Sequence, residues 1–190
     1  MVATKLSLAD FLSLDTGPDV CCEFVDGEIV EMPPESEGNV VIGGYLVAQF
    51  LKILPFEQVR QGKTELVVAG RVRIPDFMVL SEELVAALAG SSRSTITEDM
   101  PPPLLVVEVV SPGKANEDRD YRYKRSEYAA RGIPEYWIVD PARATVTVLA
   151  LVDGLYEAQE LQGEAVLVSP QFPGLSLTSA RVLSPKGTAL

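Results

Sequence analysis

Apolar positions recur along this chain with three distinct spacings, and each spacing marks an element. Residues 6–14 carry apolar side chains at 6, 8, 11, 12 and 14 around Ser7, which predicts a short capped helix. Residues 22–32, CEFVDGEIVEM, alternate apolar and polar on both sides of Asp26-Gly27. That dipeptide favours a type I′ turn, so a hairpin is expected, closed by Pro33 and Pro34. Residues 39–54 return to helical spacing at 42, 45, 46, 50, 53 and 54, with Gly43-Gly44 as a weak point or a close approach. Two longer strands are predicted over 57–68 and 71–80, joined at Ala69-Gly70. A helix over 81–88 follows, with Ser81 as cap and Glu82 and Glu83 in its first turn, then a polar loop over 90–103.

The third spacing is no spacing at all. Residues 104–110, LLVVEVV, are apolar throughout except Glu108, as in a strand buried on both faces. Ser111-Pro112-Gly113 turns the chain, and a charged helix is expected over 117–131, stopped by Gly132 and Pro134. Strands are expected over 136–139, 145–152, 156–161 and 165–168, with FPGLSL (172–177) as an edge piece. This order predicts an α+β fold with a mixed sheet. The length suits one domain, 1–190, with its core at about 20–180.

Composition narrows the chemistry. The chain has no histidine, which removes Ser-His-Asp and Cys-His mechanisms and most catalytic zinc sites. Acid–base work falls to carboxylates, Lys, Tyr or metal-activated water. A formal net charge of -11 opposes non-specific attraction to a polyanion, so a nucleic-acid partner needs a local basic patch or a bridging metal. The two cysteines, Cys21 and Cys22, are adjacent; they make neither a disulfide framework nor a zinc site and read as packing residues in a reducing cytoplasm. No leader is expected in MVATKLSLADFLSL, where Asp10 interrupts the apolar run, and no apolar stretch approaches the roughly 20 residues of a membrane span.

Glu108 is the chief anomaly, because a carboxylate in a buried strand is costly unless it is paired or binds a metal. Asp76, in IPDFMVL, shares a strand face with Met78 and Leu80, as Glu108 does with Val106 and Val110. If the two strands are neighbours, the carboxylates converge and call for a cation between them. Mg²⁺ or Mn²⁺ suits such an all-oxygen set. The alternative leaves Asp76 capping a turn and Glu108 paired with an Arg or Lys. On the charged helix, Asp120, Lys124 and Tyr128 fall at i, i+4 and i+8, roughly one face. Segment 111–131 holds six Lys and Arg against four Asp and Glu, which reads as a phosphate-facing surface or as a solvated helix laced by ion pairs. Gly62-Lys63-Thr64 imitates the end of a phosphate-binding loop, but Glu57 stands where that motif's first glycine belongs, so it is set aside. Tyr136 and Trp137 read as core. Glu23 is either a further carboxylate of the site or plain surface.

The segments EFVDGEIVEMPP (23–34), Pro75-Asp76, LLVVEVVSP (104–112), Asp120…Lys124…Tyr128, GIPEYWIVDP (132–141) and FPGLSL (172–177) together resemble the Uma-two-type endonuclease family of the PD-(D/E)XK nuclease superfamily. The resemblance implies a restriction-endonuclease-like fold, a mixed central sheet flanked by helices, and a metal-dependent enzyme that hydrolyses DNA phosphodiesters. It implies that Asp76 and Glu108 hold Mg²⁺ or Mn²⁺, with the backbone carbonyl of Val109 as a further ligand and Glu23 as an extra metal or water ligand. Lys124 would orient the attacking water or stabilise charge on the phosphoryl oxygens. Tyr128 would position Lys124 or contact phosphate, and Asp120 would orient Lys124. Two residues depart from the family pattern. Val110 stands where the superfamily places its lysine, and Lys124 matches the position from which relatives supply one from the following helix. Asn39 stands where many relatives carry histidine. The rival expectation is a nuclease fold kept as a non-catalytic module for DNA binding or protein interaction; RNA also stays open as a substrate. A homodimer or higher homo-oligomer is compatible with either.

Overall fold

Local signals shape the first four elements. Ser7 and Asp10 form a reciprocal capping box on α1 (Leu8–Ser13). β1 (Cys22–Val25) and β2 (Glu28–Glu31) pair antiparallel through Asp26 and Gly27, whose φ angles of 53° and 89° meet the type I′ requirement. Ser36 caps α2 (Glu37–Phe50), which starts and stops earlier than the 39–54 pattern; residues 51–54 instead form tight turns ahead of Pro55. Gly43 lets this helix lie close on the chain ahead, since a Cβ there would fall 2.7 Å from the Gln61 amide nitrogen. The computed structural model describes residues 5–14 and 21–185, so the opening MVAT of the segment read for a leader lies outside it.

Residues 57–80 depart from expectation, because both predicted strands break midway and the hairpin forks. Its base pairs β3 (Val59–Gln61) with β6 (Phe77–Val79), and its tip pairs β4 (Glu65–Val68) with β5 (Arg71–Arg73). Gly62 and Lys63 interrupt one side with positive φ, and Pro75, which lacks an N–H, interrupts the other. Between the pairs Gln61↔Phe77 and Leu66↔Arg73, four residues face three, so the register shifts by one across a bulge. Asp76 lies in this fork.

The fork sends its two ends into different sheets, so two mixed sheets stand where one was expected. Ser81 caps α3 (Glu82–Leu88), and β7 (Thr95–Ile96) forms inside the predicted 90–103 loop. The first sheet has the order β2-β1-β5-β4-β7, with β4 and β7 parallel. The second contains β8 (Leu105–Val109), β9 (Glu135–Asp140), β10 (Thr145–Val152) and β11 (Leu155–Gln162) in the order β11-β10-β9-β8-β6-β3. Only β8 and β9 are parallel in it, and the crossover between them is helical: α4 (Lys114–Asp118), a π turn over Arg119–Lys124, then α5 (Arg125–Arg131). Gly132, left-handed at φ 77°, ends that run as expected. Residues 165–168 form only a bridge between Val166 and Thr178, and FPGLSL makes no strand; α6 (Ser179–Leu183) follows it.

The second sheet is covered on both faces. On one, Ile42, Leu46 and Phe50 of α2 pack on Phe77, Val79, Leu105, Val107, Val109 and Trp137, with Phe172, Leu175 and Leu177 of FPGLSL sealing the edge. On the other, Met78, Val106, Val110 and Ile138 meet Tyr128 of α5 and Leu66 and Val68 of the first sheet. α1 covers the first sheet's far side through Phe11, against Phe24, Val67 and Val72. Glu108 alternates with the apolar residues of β8 and so points into the space shared by α5 and the first sheet. Among the described residues no helix is long and apolar enough to cross a membrane.

Candidate active site

β6 and β8 are neighbours, which is the condition for Asp76 and Glu108 to converge. Their register pairs Phe77 with Val107 and Met78 with Val106; one residue further sets Asp76 opposite Glu108 on the same face. Asp76 Oδ2 accepts the Val109 N–H at 2.6 Å. Glu108 is 2% exposed. Its Oε1 accepts the Tyr128 hydroxyl at 2.6 Å, and its Oε2 lies 2.7 Å from Lys124 Nζ. The cation that Val110 does not supply thus arrives from the crossover helix, while Val110 itself is buried among apolar neighbours.

Lys124 is 1% exposed and faces three acids, because Glu23 and Asp120 stand 3.5 Å and 3.7 Å from its ammonium. The π turn carries both Asp120 and Lys124, buried on the side where α5 presents Tyr128. Such wide turns recur at functional sites. Each acid is held in turn. Arg119 Nε donates to Asp120 at 2.9 Å. Arg73 donates to Glu23 at 2.8 Å, and the Ile74 N–H donates to Glu23 at 3.3 Å. Arg73 also makes two 2.8 Å bonds to Glu127. The surface reading of Glu23 is therefore overturned: between Cys22 and Phe24 it points inward, into an ion network linking β1, β5, β8 and α5. Arg73 and Glu127 escaped the sequence reading. The available signal was the alternation Arg71-Val72-Arg73, which puts both arginines on the face opposite the buried Val72, and both reach Glu127. Asn39 bridges α2 to the end of β8, its amide donating to Glu35 (3.0 Å), Ser111 (3.2 Å) and the Val109 carbonyl (3.5 Å).

Charge states follow from burial and partners. Burial pushes Asp76 up to about 6, against the pull of Lys124 and the Val109 amide. Burial also lifts Glu108 above the usual glutamate range; Lys124 opposes this, and the Asp76 and Asp120 carboxylates reinforce it. Glu23 feels the same burial, but Lys124 and Arg73 outweigh it and hold the acid below its ordinary value. For Lys124, burial disfavours the charge, yet Glu108, Glu23 and Asp120 prevail and keep the ammonium protonated. Burial and the Glu108 charge hold Tyr128 far above the usual tyrosine value, so it remains a neutral donor.

The donor set fits a hard divalent cation. Two facing carboxylates, raised by burial and by each other, gain from a cation between them. Among the described residues no group of three or more His, Cys, Asp and Glu side chains is placed to hold a metal. Asp76, Glu108 and the Val109 carbonyl thus suit an ion that keeps waters and accepts substrate oxygens, as Mg²⁺ does, rather than a closed structural site. Asp76 is half-buried and lines two adjoining clefts of about 400 and 280 Å³, while Glu108 is buried and lines neither.

No curated protein matches the chain. A crystal structure described as a "putative nuclease belonging to DUF820" from Anabaena variabilis superposes with a TM-score of 0.69, covering 94% of this chain and 97% of that chain at 17% identity. That likeness establishes a shared fold. The model of the Uma2 family, described as "Putative restriction endonuclease", matches residues 8–180. With a match over most of its length, the chain belongs to the Uma2 family.

Proposed function

We propose that the protein is a metal-dependent endonuclease that hydrolyses DNA phosphodiester bonds. One observation carries the reading: Asp76, which accepts the Val109 N–H at 2.6 Å, stands beside the buried Glu108, whose carboxylate lies 2.7 Å from the Lys124 ammonium. Membership of a family described as "Putative restriction endonuclease" supports it. Asp76, Glu108 and the Val109 carbonyl would hold Mg²⁺ or Mn²⁺. When bound, that ion supplies Lewis-acid polarisation of the phosphate and activation of water without histidine.

The chain's own groups do the rest. Tyr128 and Lys124 fix the Glu108 carboxylate in one orientation through its two oxygens. Lys124 stays protonated, so it acts as a donor to water or to a phosphoryl oxygen where charge develops, not as a base. Glu23 and Asp120 position that ammonium, and Asn39 steadies the Val109 carbonyl.

Cleavage of plasmid and of single-stranded circular DNA with Mg²⁺ or Mn²⁺, against EDTA, tests the proposal. Asp76→Asn and Glu108→Gln should each lower the rate roughly 10²–10³-fold, comparable to losing a transition-state stabilising group. Full activity in either folded variant, or in EDTA, overturns it. The second reading, a non-catalytic DNA-binding or interaction module, draws on the fact that both Glu108 oxygens already have partners. Calorimetric titration with Mn²⁺ separates the two, since wild type that binds no Mn²⁺ favours the module.

A further inference from the structure

The turn Gly62-Lys63-Thr64, set aside as a phosphate loop on sequence grounds, stands beside Asp76. Gly62 donates its N–H to the Asp76 carbonyl at 3.1 Å, which ties the turn to the fork. Lys63 adopts a φ of 55°, a left-handed conformation that glycine or asparagine holds at lower cost. Its side chain is exposed and belongs to no core cluster. Asp26, Ala69, Ala144 and Asp153 share that conformation, so what sets Lys63 apart is its place beside Asp76, where packing gives no reason for a lysine.

Two clefts meet at this turn. The larger, about 400 Å³, runs over Met32, Pro33, Pro34 and Ile74; the smaller, about 280 Å³, runs over Asn39, Val40 and Gly43. They share Glu35, Gly62, Lys63 and Asp76, so Asp76 stands where one opens into the other. Among the described residues, Lys63 is the one cation lining either cleft, against Glu31, Glu35 and Asp76. An anionic chain crossing Asp76 meets a single fixed positive charge, and a lysine suits phosphate as a point charge. The larger cleft has the dimensions of a small-ligand pocket and the smaller falls just below them. A cleft of that volume takes a few groups of one strand and does not enclose a base-paired helix.

Resting on the nuclease reading, we infer that Lys63 is a substrate-binding residue: it grips a backbone phosphate beside the scissile one, on a single polynucleotide strand laid from one cleft into the other across Asp76. The left-handed turn fixes where the lysine stem starts relative to the Asp76 backbone, and the flexible stem lets it follow the phosphate.

Fluorescence anisotropy of a labelled single-stranded oligonucleotide and its duplex, without added Mg²⁺ or Mn²⁺ and over a series of KCl concentrations, tests this. Lys63→Gln should weaken single-strand binding roughly fivefold at 0.1 M salt and make the log–log salt slope shallower by about 0.7, the value for one phosphate contact on a single strand. Lys63→Arg should restore both. Lys52→Gln, at a lysine bonded to Gln49 near the end of α2 and away from the clefts, should leave the slope unchanged. Parallel salt lines for wild type and Lys63→Gln overturn the lysine assignment alone. Tighter binding of the duplex than of the single strand overturns the single-strand assignment. No binding of either oligonucleotide by wild type overturns this inference and leaves the nuclease reading to the cleavage assay.

Discussion

The second sheet buries a glutamate on each of its faces, and the two live in different chemistry. Glu135 of β9 is 0% exposed and receives only neutral donors: the Trp137 indole N–H, the Ser169 hydroxyl at 2.9 Å and the Gln171 N–H at 3.0 Å. It ties the loop before FPGLSL to the sheet. Glu108 of β8 is as deeply buried, yet its surroundings are charged: Lys124 on one oxygen, Asp76 opposite, Asp120 behind the lysine. Burial raises both acids, but only Glu108 has an ammonium in contact and a second carboxylate opening to a cleft. A buried carboxylate alone is thus not a sign of a site. The difference lies in whether its partners satisfy it or leave charge for a ligand to complete.

The largest test of this contrast is catalytic. Glu108→Gln should lose roughly 10²–10³-fold in cleavage, whereas folded Glu135→Gln should cut at the wild-type rate. Equal losses would erase the distinction. The next test is thermodynamic and concerns the ion network behind Lys124. Arg73→Met leaves Glu23 and Glu127 buried without their shared cation. Urea denaturation should register a loss of about 3–5 kcal/mol; a loss below about 1 kcal/mol would mean that the network behaves like exposed surface pairs.

A smaller effect belongs to Glu135. Glu135→Ala strands three donors, and the same measurement should record a loss of about 1–3 kcal/mol. Its pH dependence gives the finest comparison. Burial raises the folded acid above its ordinary value of 4.5, so the folded state binds this proton more tightly than the unfolded chain. The associated stability is fully present below that value and is lost as pH rises through the folded value. The stability difference between wild type and Glu135→Gln should therefore shrink as pH rises from about 4 toward neutrality. A difference independent of pH would show that Glu135 titrates in the fold as it does in the unfolded chain.

Much of this was legible in the sequence, and for local reasons. The Ser7 and Ser81 helix starts, the Asp26-Gly27 turn and the Gly132 stop act within a few residues of themselves. The start of α2 is less legible, because the apolar spacing points to 39, three residues past the Ser36 cap. The fork of 57–80 was not legible, because Gly62-Lys63 and Pro75 each look tolerable within a strand, and only their opposition across the hairpin breaks it. FPGLSL resembled an edge strand, but its apolar residues close the core as a loop.

What the sequence by itself determined was the presence of the elements and the one costly residue among them: continuous apolar runs bury, and Glu108 cannot be buried there without a partner. The partner itself was a tertiary decision. Lys124 lies 16 positions away on a crossover helix, Glu23 reaches it from another sheet with Arg73 holding Glu23 in turn, and Lys63 comes beside Asp76 through a one-residue bulge. Such contacts depend on which strands pair and in what register. A shift of one residue would turn Asp76 to the opposite face, and no local spacing carries that information.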